Sequence, residues 1–254
     1  MFIMDIFSSI ALFLGSLIAN TLASLSGGGA GLLQFPLLIF LGLPFSSALA
    51  THKVASVALG IGAAYTHCKN RTFSFKTAIY VTFTGSLGAI IGANIILKIP
   101  EDIAQSALGL MILALGVYSR FKKDLGQTEA PINRTSTGYV IGGIGFITIG
   151  IINGSLTAGS GLLVTLFLVR WFGYSYKQAV AITLVCVGLF WNGIGGIAVV
   201  QAGAPIYWPW LPILLASSFL GGAIGAYFVT KSSNKLIKIA FELLTLFVGL
   251  KLIL

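Results

Sequence analysis

"SLSGGGAGLLQFP", Ser24 to Pro36, interrupts an apolar run that would otherwise read as one long helix. A glycine inside a helix costs about 1 kcal/mol against alanine, so three in a row mark a place where a helix stops and another starts. What surrounds the interruption decides what kind of helix this is. The chain is 57% hydrophobic and only 8% charged, where a soluble domain carries roughly 25% charged residues. Apolar stretches of about 20 residues recur along its length, the length a helix needs to cross a bilayer. The chain therefore reads as an all-α polytopic membrane protein with 8–10 transmembrane segments.

Ten apolar runs lie between polar breaks, at about 4–26, 30–43, 46–66, 77–97, 103–119, 138–158, 160–173, 178–200, 210–230 and 235–253. The second and seventh, 14 residues each, are too short to cross comfortably at ~1.5 Å rise per residue. If the runs alternate sides, the loops at 67–76, 120–137, 170–177 and 231–238 share one side. They hold Lys69, Arg71, Lys76, Arg120, Lys122, Lys123, Arg134, Arg170, Lys177, Lys231, Lys235 and Lys238, which is 12 of the 15 cations. Lys98 and Lys251 fall on the other side, and Lys53 inside a run. A bias of this size places the cation-rich side in the cytoplasm and both termini outside, in a multi-pass protein of the cell (inner) membrane. The net charge of +9 thus speaks for topology, and no basic cluster interleaved with aromatics suggests nucleic acid. Trp171, Tyr174 and Tyr176 fit an inner aromatic belt, and Tyr207, Trp208 and Trp210 an outer one. Cys68 and Cys186 read as unpaired thiols.

The two halves echo each other. "GAGLLQ" (29–34) matches "GSGLLV" (159–164), "PFSSALATHKV" (44–54) parallels "SYKQAVAITLV" (175–185), and "GAIIGA" (88–93) matches "GGAIGA" (221–226). With five segments per half, an odd number, the second half enters from the opposite side. This is an inverted-topology repeat: residues 1–119, a cytoplasmic linker at 120–137, and residues 138–254. The GxxxG spacings Gly88/Gly92 and Gly221/Gly225 read as tight helix packing.

The Gly-interrupted short segments fall at corresponding places in both halves, as fully crossing helices or re-entrant hairpins. Paired breaks of this kind are the best sequence pointer to a binding site, because backbone opened at membrane depth survives only against protein, water or a ligand. Each short helix offers unpaired N–H groups and a positive dipole end at its start, a nest suited to an anion. Polar neutral side chains gather near the breaks, Asn20, Ser26, Gln34 and Thr51 in one half and Asn153, Ser160, Thr183 and Asn192 in the other. Lys53 lies ~10 Å down its segment by helix rise, either as the partner of an anion or snorkelling to the outer interface. His52, with an unperturbed pKa near 6.5, could carry a coupling proton or be a neutral core histidine. Adjacent residues point about 100° apart on a helix, so His52 and Lys53 need not face one cavity. His67 reads as a solvated boundary residue and Glu242 as a paired structural carboxylate. The candidate substrate-binding set is Ser26, Gly27, Gly28, Gly29, Gln34, Thr51, His52, Lys53, Asn153, Gly159, Ser160, Gly161, Thr183 and Asn192. No catalytic, metal or cofactor site is read.

"SGGGAGLLQFPLLIFLGLPFSSALATHK" and its echo "NGSLTAGSGLLVTLFLVRWFGYSYKQAVAITL" resemble the TauE/SafE family of sulfite-exporter-like membrane proteins over about residues 8–254. Many members carry Thr-Asn-Lys where this chain has Thr51-His52-Lys53, and the second-half Gly-Ser-Gly at 159–161 is also a departure. The resemblance implies export of a small sulfur-containing anion such as sulfite or an organosulfonate. The expected function is a secondary carrier of a small anion working by alternating access, with the lipid bilayer and a small anionic substrate as partners. The alternatives are an intramembrane hydrolase with Ser160 as nucleophile and His52 as base, and an anion channel. No Walker, GxSxG or HExxH motif is present.

Overall fold

The computed structural model describes residues 6–28, 30–70, 72–95 and 101–253; Gly29, Arg71 and Lys98 lie outside them. All regular structure among the described residues is helical. In the first half these are α1 (Ile6–Ser26), α2 (Ala30–Phe40), α3 (Phe45–Lys69), α4 (Phe75–Ile95) and α5 (Glu101–Phe121). In the second half α6 (Ser136–Leu156) and α7 (Ser160–Phe172) come first. A composite helix follows: α8 (Tyr176–Thr183), a π-helical stretch Leu184–Trp191 and α9 (Asn192–Gln201). A 3₁₀ turn at Trp208–Trp210 leads into α10 (Leu211–Lys231), and α11 (Asn234–Ile253) ends the chain. Among the described residues five helices are long and apolar enough to cross a membrane: Ile6–Ser26, Phe75–Ile95, Ser136–Leu156, Tyr176–Gln201 and Trp208–Lys231.

All ten expected runs appear as helices, with shifts at several ends, among them α3 running on to Lys69. α2 and α7 have 11 and 13 residues, about 17 and 20 Å long at ~1.5 Å per residue, shorter than the 14-residue runs because Leu41–Gly42 and Gly173 have already left the helix. α5 continues past residue 119 to Phe121. The eighth run is not one regular helix, because its middle eight residues are wound as π-helix.

Small residues set the packing. Gly88 and Gly92 of α4 lie directly on the carbonyls of Ile147 and Ile151 of α6, where any Cβ would collide. Gly221 and Gly225 of α10 lie likewise on the Leu17 and Thr21 carbonyls of α1. The GxxxG reading therefore holds at both places, α4 packing on α6 and α10 on α1. Gly62 and Gly222 bring α3 onto α10, and Gly60 meets the Gly188–Leu189 backbone of the π stretch. Without a side chain at these points the backbones come close enough for dispersion contacts to replace lipid.

Three of the cation-bearing loops, 120–137, 170–177 and 231–238, are tied together at one end of the bundle. Lys238 Nζ donates to the Lys122 and Lys123 carbonyls (2.6 and 3.1 Å), and Asn234 Nδ2 to the Gln127 carbonyl (2.7 Å). Tyr176 N–H donates to the Gly126 carbonyl, and Arg134 Nε to the Phe172 carbonyl. The start of α4, just past the fourth loop, joins them through Thr77 Oγ1 and Tyr174 OH (2.6 Å).

The belt reading of Tyr174 and Tyr176 is wrong. Both are buried, and their hydroxyls bond Thr77 and Ser119 rather than a headgroup layer. Trp210 is also buried, whereas Trp208 is exposed. His67 is not solvated either; it is buried, with Nδ1 against Thr72 Oγ1 (2.9 Å). Glu242 is paired, 3.6 Å from Lys238 and 3.7 Å from Arg120, and accepts from Ser119 (3.2 Å). Cys68 and Cys186 are free thiols.

Candidate functional site

The two helix breaks meet. Gly28 sits so close to Gly161 that a Cβ on Gly28 would lie 2.9 Å from the Gly161 Cα, and a Cβ on Gly161 would collide with the Gly28 backbone in return. Gly27 packs on Thr165 and Val180, and Thr165 Oγ1 donates to the Gly27 carbonyl (2.8 Å). The chain turns at these points through left-handed conformations: φ is +91° at Gly27, +105° at Gly28, +61° at Thr157 and +76° at Gly159. Glycine reaches this region at little cost, whereas a β-branched residue is an outlier there. Thr157 is fixed by bonds from its N–H and Oγ1 to the Asn153 carbonyl (3.1 and 3.2 Å).

Between the breaks lies a cavity of about 30 Å³. Ala30 and Gly31, the first residues of α2, and Ser160 and Gly161, the first of α7, all line it. Among the described residues none of their four amides has a hydrogen-bond partner. Gly28, His52, Ser56, Thr157, Thr183 and Asn192 complete its polar wall, with the π stretch contributing Leu184, Val187 and Gly188.

Of the sequence-derived set, Gly28, His52, Ser160, Gly161, Thr183 and Asn192 therefore share one cavity. Asn153 stands directly behind it: its Nδ2 donates to Ser160 Oγ (2.9 Å) and Asn192 Oδ1 (3.1 Å), and its Oδ1 is buried without a partner among the described residues. Gly159 is the left-handed residue that starts α7. Gly27 lies beneath the turn, and Ser26 bonds back to its own helix at the Leu22 and Ala23 carbonyls. Gly29 lies outside the described residues.

The other three face elsewhere. Gln34 Oε1 accepts from His52 Nδ1 (2.7 Å), and its Nε2 donates to Ser16 (2.7 Å) and Ser218 (2.9 Å). It thereby joins a buried polar cluster with Asn20, whose Nδ2 reaches Ser218 Oγ at 3.1 Å. Thr51, although next to His52 on α3, turns away from the cavity and accepts from the Tyr207 N–H (2.8 Å). Lys53 is fully buried but is not part of the cavity wall; its Nζ donates to the Asn153 carbonyl (2.8 Å). It does not snorkel to the outer interface. Among the described residues no carboxylate lies within ion-pair distance of it. His52 and Lys53 diverge as the 100° helix step dictates.

Two hydrogen bonds in the chain share one sequence spacing. Gln34 and His52 are 18 residues apart and hydrogen-bonded; Thr165 and Thr183, also 18 apart, are bonded at 3.0 Å. Each bond ties a short helix to the long helix that follows it. The hydrolytic dyad, by contrast, is not formed: Ser160 Oγ donates to the Thr157 carbonyl (3.0 Å), while His52 bonds Gln34 and Ser56.

Ser56, Thr157 and Gly31 were not in the sequence-derived set. Ser56 was accessible to it, since it lies four residues after His52 on the same helix face and bonds His52 Nε2 at 3.1 Å. Thr157 and the π stretch carry no such mark, because neither a positive φ at threonine nor π winding is written in residue type.

No solved structure matches the chain. A Haemophilus influenzae protein named "Probable membrane transporter protein" is 26% identical over 228 residues, covering 89% of this chain and 87% of its own length. "Probable membrane transporter protein YfcA" of Escherichia coli K12 is 26% identical over 230 residues, 89% of this chain and 82% of its own. A Sinorhizobium relative, "Probable membrane transporter protein ORF9", is 22% identical over 242 residues, 95% and 91% of the two chains. The family described as sulfite exporter TauE/SafE matches residues 12–252. With that match running through both helix breaks and nearly end to end, the chain belongs to the sulfite exporter TauE/SafE family of membrane transporters.

Proposed function

We propose that this protein is a secondary carrier, working as an exporter, for a small anion such as sulfite or an organosulfonate. The observation that carries this reading is the set of four amides, two from each short helix, that have no partner among the described residues and stand around one cavity. Helix starts place partial positive charge on such amides, and the Thr183 hydroxyl, which accepts from Thr165, has its own proton left to donate to the same oxyanion. Lys53, buried one layer back with no carboxylate partner among the described residues, sets its ammonium nitrogen against the carbonyl of Asn153 at the second break. At about 30 Å³ the cavity exceeds the ~10–15 Å³ that a single water needs but is too tight for a sulfur oxyanion. Loading therefore requires the halves to part.

In this reading residues 1–119 and 138–254 are inverted repeats that rock about the paired breaks, joined by a cytoplasmic linker. The corresponding packing of α4 on α6 and α10 on α1, and the two 18-residue pairings, support it. The 12-to-2 cation bias supports an inner-membrane protein with both termini outside. A proton on His52 is a candidate coupling ion, and the breaks are re-entrant or crossing according to how the short helices sit in the bilayer.

Proteoliposomes loaded with sulfite, a sulfonate or a carboxylate test the proposal. Saturable release above empty liposomes for a sulfur oxyanion is expected, weakened and not abolished by Ser160→Ala. Unitary currents would replace the carrier with a channel. Absence of flux, and of ligand-induced stabilisation, across the whole panel would overturn it.

A further inference from the structure

The α5–α11 wall carries two adjoining cavities that the transport site does not use. One, of about 650 Å³, is a mainly apolar groove between the helices, walled by Leu113, Val117, Leu243 and Leu246 and ending at Arg120 and Phe121, with Glu242 in its wall paired to Arg120 and Lys238. The other, of about 590 Å³, surrounds the end of α5 and presents Lys122, Lys123 and Arg170. Phe121, 81% exposed, belongs to both walls, so the groove runs into the basic cavity.

The cations at this junction are free to meet an outside anion. Among the described residues Lys122, Lys123 and Arg170 have no carboxylate within ion-pair distance, and Asp124 is the one acidic side chain in that wall. The Arg120 side chain is 78% exposed although it approaches Glu242. The turn that displays them is fixed, because the Lys122 and Lys123 carbonyls hold Lys238 Nζ and Arg170 Nε donates to Tyr118 OH (2.8 Å).

We propose that this junction binds one anionic phospholipid, with an acyl chain in the α5–α11 groove and its phosphate over Lys122, Lys123 and Arg170. With α5 and α11 taken as membrane helices whose loop 120–137 is cytoplasmic, the groove faces lipid and the cations at its end come to the level of a headgroup. Basic pockets beside transmembrane helices select anionic headgroups in this way. A second copy of the chain suits the site poorly, since a two-fold contact here sets the same cations of both copies near one axis.

Native mass spectrometry of protein extracted from nanodiscs of phosphatidylcholine and phosphatidylglycerol tests this. One phosphatidylglycerol per chain should be retained, with about tenfold preference over phosphatidylcholine. Lys122→Gln/Lys123→Gln/Arg170→Gln should abolish the preference. Leu243→Trp, at a groove position 64% exposed, should lose both lipids and keeps the test open if the triple variant folds poorly. Displacement of the lipid by free glycerol phosphate, an unchanged preference in the triple variant, or a two-chain mass that Leu243→Trp returns to one chain would overturn the proposal.

Discussion

The first helix break turns on Gly27 and Gly28, the second on Thr157 and Gly159, yet all four take left-handed backbone. The two breaks solve one problem by different means. At the first, absence of side chains is what counts: Gly28 touches the Gly161 backbone and Gly27 lies under Thr165. At the second, a threonine is forced into a conformation that costs an L-residue about 1–2 kcal/mol. Its bonds to the Asn153 carbonyl hold it there, and Asn153 also positions Ser160 and Asn192. The first break is shaped by steric room and the second by a polar scaffold, so they should fail differently.

The largest effect is expected at Gly28. Gly28→Val combines a positive φ with overlap on backbone that cannot rotate away, together about 2–5 kcal/mol. Its melting temperature should fall sharply and flux should vanish. Gly42→Ala is the control, since Gly42 has φ +96° but nothing within 4 Å of its missing Cβ; it carries the backbone cost of roughly 1 kcal/mol alone. Equal melting shifts for the two variants would show that the breaks do not press on each other.

Lys53→Met tests whether the charge behind the second break serves the ligand or the fold. A buried cation with no carboxylate contributes little to stability and can cost desolvation, and the Asn153 carbonyl keeps its bonds from Thr157. The variant should melt within a few degrees of the parent and lose roughly tenfold in anion flux, through loss of the lysine's field on the neighbouring cavity. A large loss of stability with flux per folded molecule unchanged would make Lys53 structural.

These two positions also show how far the sequence could be read. The helices, the paired breaks and the GxxxG contacts were legible because glycine and hydrophobic runs act locally, through backbone freedom and burial. That the breaks touch was legible only as an expectation from the echo of 29–34 in 159–164. The placement of Thr51, Lys53 and Gln34 away from the cavity was not, since a helix turns each residue by 100° and only tertiary packing decides which direction faces the site. Tyr174 and Tyr176 misled for a related reason: an aromatic next to a loop fits a belt or a core equally well, and hydroxyl partners supplied by α4 and α5 made them core.

Thr157→Gly sharpens the comparison at a smaller scale. Relief of the backbone strain, about 1–2 kcal/mol, is offset by the lost Oγ1 bond, worth roughly 0.6 kcal/mol in a membrane interior, and by the greater freedom of glycine in the unfolded chain, about 0.5–1 kcal/mol. The melting temperature should barely move. A marked drop would mean that the threonine methyl against Gly31 holds the second break by packing and not by its polar scaffold.

The smallest effect distinguishes the far ends of the two short helices. α7 is held at its C-terminal end by the linker: Arg134 donates to the Phe172 carbonyl and stacks 4.1 Å over the Tyr174 ring, and Glu129 pairs with Arg134 at 2.8 Å. No linker reaches α2 in this way among the described residues. A hydrogen bond from Gln178 (2.7 Å), and then Arg134, hold the Glu129 carboxyl below its ordinary value of 4.5. Because the folded pKa is the lower one, this clamp is fully present above about pH 4.5 and is lost as the pH falls through the folded value. The groups are part-exposed, so the clamp is worth about 0.2–1 kcal/mol. Glu129→Gln should remove that acid-dependent part of the melting curve and raise amide exchange at residues 172–176, with exchange in α2 unaffected. Equal exchange gains at both short helices would mean that the linker steadies the bundle as a whole and does not single out the second break.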